Sequence, residues 1–270
     1  MVRRAILVGV PLPVVPDPLD RVLGAFVDDL RSTFGTELVG AYLYGSAVMG
    51  GFDPGLSDLD LVVVTEQSTD ALGFDVFAGM IERLQAREPD WADRLDIVFV
   101  DRRTLAAFRS GGAFLELGHP HPLRRISDAS QYVETWFLMR AADRPLAGPP
   151  ATTLVPPIST REFLLEVVAG IDGFIAAVHD DTPTDTVAYR ALTVCRVLRS
   201  LESGEVCTKQ EGAEWAAERY PAWAPLIRAA WQVRSSNGAL GFTPDMRAQV
   251  AAFLEFMGQE IHRAAAATGG

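Results

Sequence analysis

Tyr44-Gly-Ser-Ala-Val-Met-Gly-Gly-Phe-Asp-Pro-Gly-Leu-Ser-Asp-Leu-Asp-Leu-Val-Val-Val64 decides how this chain is read. It holds the end of one apolar run, a cluster of turn residues (Gly50, Gly51, Pro54, Gly55) and the start of a second apolar run. Glu37 to Tyr44 therefore reads as a buried strand and Leu56 to Thr65 as a second one. Asp58 and Asp60 open the second strand. Two-residue spacing puts both carboxylates on one face with Cα atoms roughly 6.5–7 Å apart, so that they repel each other unless they share cations. Gly45-Ser46 leaves the first strand as a sharp exit into a helix, where free backbone N–H groups and a hydroxyl can hold phosphate oxygens.

Working outward, residues 17–34 place Leu19, Val22, Leu23, Phe26, Val27 and Leu30 on one helical stripe, with Pro18 suited to a first turn. A helix over 69–87 follows the second strand, and Arg94 to Asp101 alternates as a third. Asp96 on that strand adds a carboxylate to the same face if it pairs beside 56–65. Three acids, a hydroxyl and a glycine turn make a phosphoryl-transfer site. Taken alone, Asp-x-Asp in an acidic chain is as readily a solvated turn, and Asp96 alone a polar strand end; the spacing of the whole set favours chemistry.

After residue 101 strand signals stop. The rest reads as helices broken by Pro- and Gly-bearing loops, His119-Pro-His-Pro122 and Gly148 to Pro157 among them, the second read as a linker. Beyond it, 160–179, 184–203, 209–219, 221–235 and 244–266 have helical spacing, Gly204 stops the second of these and Thr208 caps the third. The Ala-rich end, Ala264–Gly270, is expected to fray. The fold class is α+β: a small mixed sheet with helices over 1–150, then an α-helical bundle over 151–270.

Composition excludes other classes. With 270 residues, 49% hydrophobic and 22% charged, the chain has the makings of two ordinary globular domains. The balance of 24 basic against 35 acidic residues gives −11, and no basic run exceeds a pair, which excludes nucleic acid as the main partner and favours a cationic one. Cys195 and Cys207 are too few for a disulfide framework or a thiolate metal cluster. Prolines at 11, 13, 16 and 18 interrupt a signal-like start, and no apolar run approaches the roughly 20 residues of a bilayer span, so a cytoplasmic protein without a membrane partner is expected.

Gly45-Ser46, Ser57-Asp58-Leu59-Asp60 and Asp96 together resemble the signature of the DNA polymerase β-type nucleotidyltransferase superfamily. Ala191 to Leu198, Gly204 and Thr208-Lys-Gln-Glu-Gly-Ala-Glu-Trp215 resemble the C-terminal domain of the aminoglycoside (3'')(9) adenylyltransferases, the streptomycin and spectinomycin resistance enzymes, and Ala141 to Pro149 is similar to their pre-linker segment. The resemblance covers most of residues 25–260. It implies AMP transfer from ATP to a hydroxyl of an aminoglycoside or aminocyclitol, with release of pyrophosphate. It also implies two Mg²⁺ ions on Asp58 and Asp60, Ser46 and Ser57 against the triphosphate beside Gly45, and Arg196 and Lys209 reaching ATP from a second domain that completes an interdomain site. Asp96 falls at the general-base position, as a base or as a third metal ligand. Lys209 is also the only lysine among 24 basic residues, and a compact ammonium suits a phosphate.

Two departures bear on the acceptor. The base position is usually Glu in the best-known relatives, and Asp96 is shorter by roughly 1.5 Å, which matters for proton abstraction. Relatives carry a Gly-Glu-Trp near residue 120 whose tryptophan contacts streptomycin, where this chain has Gly118-His119-Pro120. An Asp and a His or Asn of the relatives are replaced by Thr186 and Tyr189. Asp185, Thr186 and Tyr189 remain as a polar pocket wall or as solvated helix face. His119 and His121 lack a third ligand nearby and read as surface. Trp136, Trp215, Trp223 and Trp231 read as packing. Other readings are transfer to another hydroxylated metabolite or a protein, or a non-catalytic, antitoxin-like nucleotide-binding module. A monomer is expected.

Overall fold

A computed structural model describes residues 17–49, 52–55, 57–118, 121–179, 181–236 and 239–268. The signal-like start and its prolines up to Pro16, together with Gly50, Gly51, Leu56 and His119, lie outside the described residues. The chain divides into two compact units between Pro157 and Ile158.

The first unit is built on a six-stranded mixed sheet: β1 (Leu38–Leu43), β2 (Leu59–Thr65), β3 (Leu95–Asp101), β4 (Phe114–Gly118), β5 (His121–Ile126) and β6 (Arg144–Ala147), in the order β5-β4-β3-β2-β1-β6. Only β2 and β3 run parallel. Parallel neighbours need a crossover, and α3 (Thr69–Leu72) and α4 (Phe74–Arg87) lie in sequence between them. The expected helix over 69–87 is split at Gly73, whose φ of 88° no ordinary side chain adopts at ease.

With α1 (Asp17–Phe34), α4 covers one sheet face. Leu19, Val22, Phe26 and Leu30 of α1 and Phe77, Met80 and Leu84 of α4 share a core with Leu43, Leu59, Leu61, Val63, Ile97, Phe99, Leu115 and Leu117. Period-two alternation turns Asp60, Val62, Asp96, Val98 and Glu116 to the other face. There Trp136 of α6 (Val133–Ala142) is fully buried, donates to the Ala129 carbonyl at 2.9 Å and meets Phe114 edge-on.

β4, β5 and β6 correct the expectation that strands end at residue 101. Phe114-Leu-Glu-Leu-Gly118 is short and buries both faces, so its alternation is hidden. β5 and β6 are edge strands carrying Pro122 and Pro145, which edges tolerate and which mask a strand in sequence. Glu37 belongs to a 3₁₀ turn before β1.

The second unit is helical: α7 (Thr160–Ala169), α8 (Ile171–Ala176), α9 (Thr184–Ser203), α10 (Lys209–Arg219), α11 (Ala224–Ser235) and α12 (Pro244–Thr268). α9 is central, with Val187, Ala191, Leu192, Val194, Cys195 and Leu198 buried. Gly204 ends it at φ 71°, and Thr208 starts α10 with a capping box to Glu211, both as expected. The helix expected over 160–179 breaks at Gly170, since glycine weakens a helix interior by about 1 kcal/mol. At the Ala-rich end, α12 carries its helix through Ala264–Ala267 to Thr268. Among the described residues no helix is long and apolar enough to cross a membrane.

Candidate active site

The turn leaving β1 sets the geometry. Gly45 has φ 66°, and Ser46 begins a four-residue helix, α2 (Ser46–Met49). A Cβ on Gly45 would lie 1.9 Å from Asp60 Oδ2, so glycine is needed for the backbone conformation and for room beside a carboxylate. The Tyr44 amide donates to the Asp60 carbonyl at 3.0 Å, which locks the turn against the start of β2.

The parallel pairing brings the acids together. Asp60 and Asp96 are direct register partners on β2 and β3, with both side chains on the face away from α1 and α4. Asp58, two residues before Asp60 and exposed, enters this group from the turn. Burial first, then the charges of Glu116 and Asp58, push the Asp96 carboxyl up to about 7, against the opposing pull of Arg124. Burial, with Asp60 and Asp96 nearby, holds the Tyr44 phenol well above its usual range.

Glu116, Tyr44 and Arg94 are neighbours of this site that sequence reasoning did not single out. Glu116 pairs with Val98 across β3 and β4, accepts from Arg124 Nε at 2.9 Å and Nη2 at 2.6 Å, and accepts the Tyr132 hydroxyl at 2.6 Å. No local pattern marks it, since its strand buries both faces. Tyr44 stood inside the quoted motif; Arg94 opened the strand expected over Arg94 to Asp101, and the observed β3 begins one residue after it.

Ser46 is half-buried at the start of α2. Ser57 is buried, and its Oγ accepts the Asp53 amide at 3.0 Å, so one of its hydroxyl lone pairs serves the turn itself. His121 is exposed at the start of β5.

Among the described residues no group of three or more His, Cys, Asp or Glu side chains could hold a metal ion by itself. An open set of carboxylates beside a glycine turn is what Mg²⁺ uses when substrate phosphates complete its shell, in contrast to the closed cages of all-protein sites. The hard oxygen donors of Asp58, Asp60 and Asp96 fit that ion.

In the second unit, Asp185, Tyr189 and Arg196 fall at helical spacing on one face of α9, with Thr186 beside them. Lys209 Nζ sits 4.3 Å from the centre of the Tyr189 ring, and Arg234 Cζ 6.0 Å from it. Phe174 meets that ring at 6.2 Å, tilted 60°. α10 crosses α9 closely at Gly212, where a Cβ would lie 2.6 Å from the Arg196 Cα. Of the second-unit residues expected at a site, the structure gathers Lys209 and Tyr189; Arg234 was missed, because no local pattern links it to them.

Residues 23–133 match the model of the nucleotidyltransferase domain, and residues 153–260 match that of the aminoglycoside adenylyltransferase C-terminal domain. The chain belongs to the aminoglycoside adenylyltransferase-like family of the nucleotidyltransferase superfamily. As a member of that family it is an adenylyltransferase-type enzyme. Its fold is similar to the crystal structure of spectinomycin adenyltransferase AAD(9) from Enterococcus faecialis, solved with ATP and spectinomycin. The TM-score is 0.71 at 16% identity, over 90% of this chain and 99% of that one. No curated protein matches the chain by sequence.

Proposed function

We propose that this adenylyltransferase transfers AMP from ATP to a hydroxyl of an aminocyclitol of the spectinomycin type, using Asp58, Asp60 and Asp96 as the site for two Mg²⁺ ions. The in-register pairing of Asp60 with Asp96 beside the Gly45 turn carries this reading. Bound there, Mg²⁺ would neutralise the triphosphate and stabilise the leaving pyrophosphate. Gly45 and Ser46 offer backbone N–H groups and a hydroxyl to phosphate oxygens, and Ser57 its hydroxyl proton. Asp96 serves either as a third ligand of Mg²⁺ or, where it is not bound to metal, as the general base for the acceptor hydroxyl, a role for which burial and the charges of Glu116 and Asp58 raise its proton affinity. That hydroxyl oxygen forms the bond to the α-phosphorus as the bond to pyrophosphate breaks. In the second unit, Lys209 and Arg196 are cations of the kind that suits a nucleotide's phosphates.

Family membership and the ATP and spectinomycin of the similar AAD(9) structure support the substrates. The absence of the relatives' Gly-Glu-Trp in the sequence Gly118-His119-Pro120 favours an aminocyclitol over streptomycin. Unpaired carboxylates of an acidic protein would take the acceptor's ammonium groups.

The test is pyrophosphate release from Mg·ATP with a panel of acceptors. Spectinomycin-dependent release is expected. Release with streptomycin alone, or only with other hydroxylated metabolites or proteins, would replace the acceptor; no release with any would leave a nucleotide-binding module.

A further inference from the structure

Asp58 differs from its two partners in what holds it. Asp60 and Asp96 lie within strands whose backbones are fixed by the ladder, whereas Asp58 sits in the turn before β2. Within that turn, the Ser57 amide donates to the Asp53 carbonyl at 2.8 Å, the Asp53 amide to Ser57 Oγ at 3.0 Å, and the Gly55 amide to Asp53 Oδ1 at 2.8 Å. These bonds shape the turn without anchoring it to the sheet.

Arg94 supplies the anchor. Its Nε donates to the Ser57 carbonyl at 3.1 Å, Nη2 donates to the same oxygen, and Nη1 donates to the Pro54 carbonyl at 2.8 Å. The guanidinium lies 4.3 Å over the ring of Trp91, which stacks in turn on Phe52 at 6.5 Å. The backbone completes the link: the Leu59 amide donates to the Arg94 carbonyl at 2.8 Å, and Arg94 directly precedes β3, two residues before Asp96. One residue thus grips the turn that presents Asp58 and leads into the strand that presents Asp96. The charges of Asp58 and Asp53 act on its guanidinium, which is a fixed cation beside mutually repelling carboxylates. A forked guanidinium can bridge two carbonyls and lie flat on an indole at once, which a lysine cannot.

We propose that Arg94 is a positioning residue for nucleotidyl transfer, clamping the Asp53–Ser57 turn so that Asp58 faces the same point as Asp60 and Asp96. The inference rests on the reading of these carboxylates as the Mg·ATP site. It predicts that loss of the fork weakens metal-nucleotide binding beyond any loss of stability.

The test compares wild type, Arg94→Met, which keeps an apolar stem on Trp91, and Arg94→Lys, which keeps the charge. Calorimetry measures binding of Mg·ATP and of ATP with chelator, and hydrogen exchange follows the amides of residues 57–59 against those of 61–65. Arg94→Met should bind Mg·ATP about 10- to 100-fold more weakly, the range for supports of metal ligands. Metal-free ATP binding should change far less, and exchange should speed up in 57–59 while 61–65 stay protected. Arg94→Lys should fall between and serves in its place should Arg94→Met not fold. Wild-type Mg·ATP affinity in a folded variant, even one with a lowered Tm, would overturn the proposal. Failure of the wild-type protein itself to bind Mg·ATP would overturn the nucleotidyl-transfer reading, and the role of Arg94 with it.

Discussion

The end of the sheet and the face of α9 bring charged groups together by different routes. In the sheet, Asp58 and Asp60 are two residues apart and Asp96 joins them through strand register, so a single pairing assembles the set. On the helical unit, Phe174, Tyr189, Lys209 and Arg234 come from α8, α9, α10 and α11 and meet only through packing. The first arrangement is encoded by local spacing and a turn. The second depends on how four helices cross, with Gly212 allowing α10 its close approach to Arg196. Substitutions in the sheet should therefore remove the chemistry outright, while those on the bundle should weaken it by degrees.

The largest effect is expected at the carboxylates. Asp60→Asn and Asp58→Asn keep shape but remove charge where cations must bind, and transfer should fall by about a hundredfold or more. The Tm of Asp58→Asn should move little, since its side chain is exposed and surface changes are usually within about 0.5 kcal/mol. Steady-state pyrophosphate release and a thermal melt check both. Near-full activity in either variant would mean that the sheet end is not where transfer occurs.

Gly45→Ala sharpens the same comparison. A positive φ costs an ordinary residue about 1–2 kcal/mol, and the new methyl would displace the Asp60 carboxylate. That cost corresponds to roughly 2–8 °C of Tm, with a loss of transfer of about tenfold or more. Gly204→Ala shares the positive φ but has open space at the Cβ, so it should lower Tm similarly and leave transfer near the wild-type rate. If the two variants lost activity equally, the close packing of Gly45 on Asp60 would have no special role.

What could be read from the sequence follows the same division. Helix α1, strands β2 and β3, the Gly204 stop and the Thr208 cap were legible because each is set by nearby residues: an apolar stripe, a carboxylate spacing, a left-handed glycine, a hydroxyl before a helix. Glu116 was not, because its strand is recognisable only once Val98 is seen opposite it. β5 and β6 hid behind prolines that edge strands tolerate. Arg94 was passed over because a cation at the end of a strand looks like surface until the carbonyls of Pro54 and Ser57 are placed around it. Arg234 is 45 residues from Tyr189 in the chain, and nothing local relates them.

On the bundle, Lys209→Met should raise the KM for ATP by about tenfold, in line with one charge-assisted phosphate contact. The variant also loses a cation–π contact with Tyr189 worth about 0.5–1 kcal/mol. Lys209→Arg keeps that contact and the charge, and should recover most of the Tm but only part of the affinity. Equal KM values in all three proteins would assign Lys209 to packing alone.

The smallest effect is a pH dependence at the start of α10. Bonding to the Thr208 backbone amide, at 2.7 Å, holds the Glu211 carboxyl below its ordinary range. A depressed carboxyl gives stability that is fully present above its unfolded pKa and is lost as pH falls through its folded one, so the contribution is complete at pH 7 and fades below about 4.5. Glu211 is exposed, which screens the charge part, and the reciprocal Thr208 bond survives its replacement. Glu211→Ala should therefore cost at most about 1 kcal/mol at pH 7 and less at pH 3.5 by urea denaturation. Since the box fixes the residue after the cap, the same variant should raise the KM for ATP slightly in the direction of Lys209→Met. A stability loss that stayed constant across this pH range would show that Glu211 acts through contacts of its side chain that do not depend on its charge, and not through its bond to Thr208.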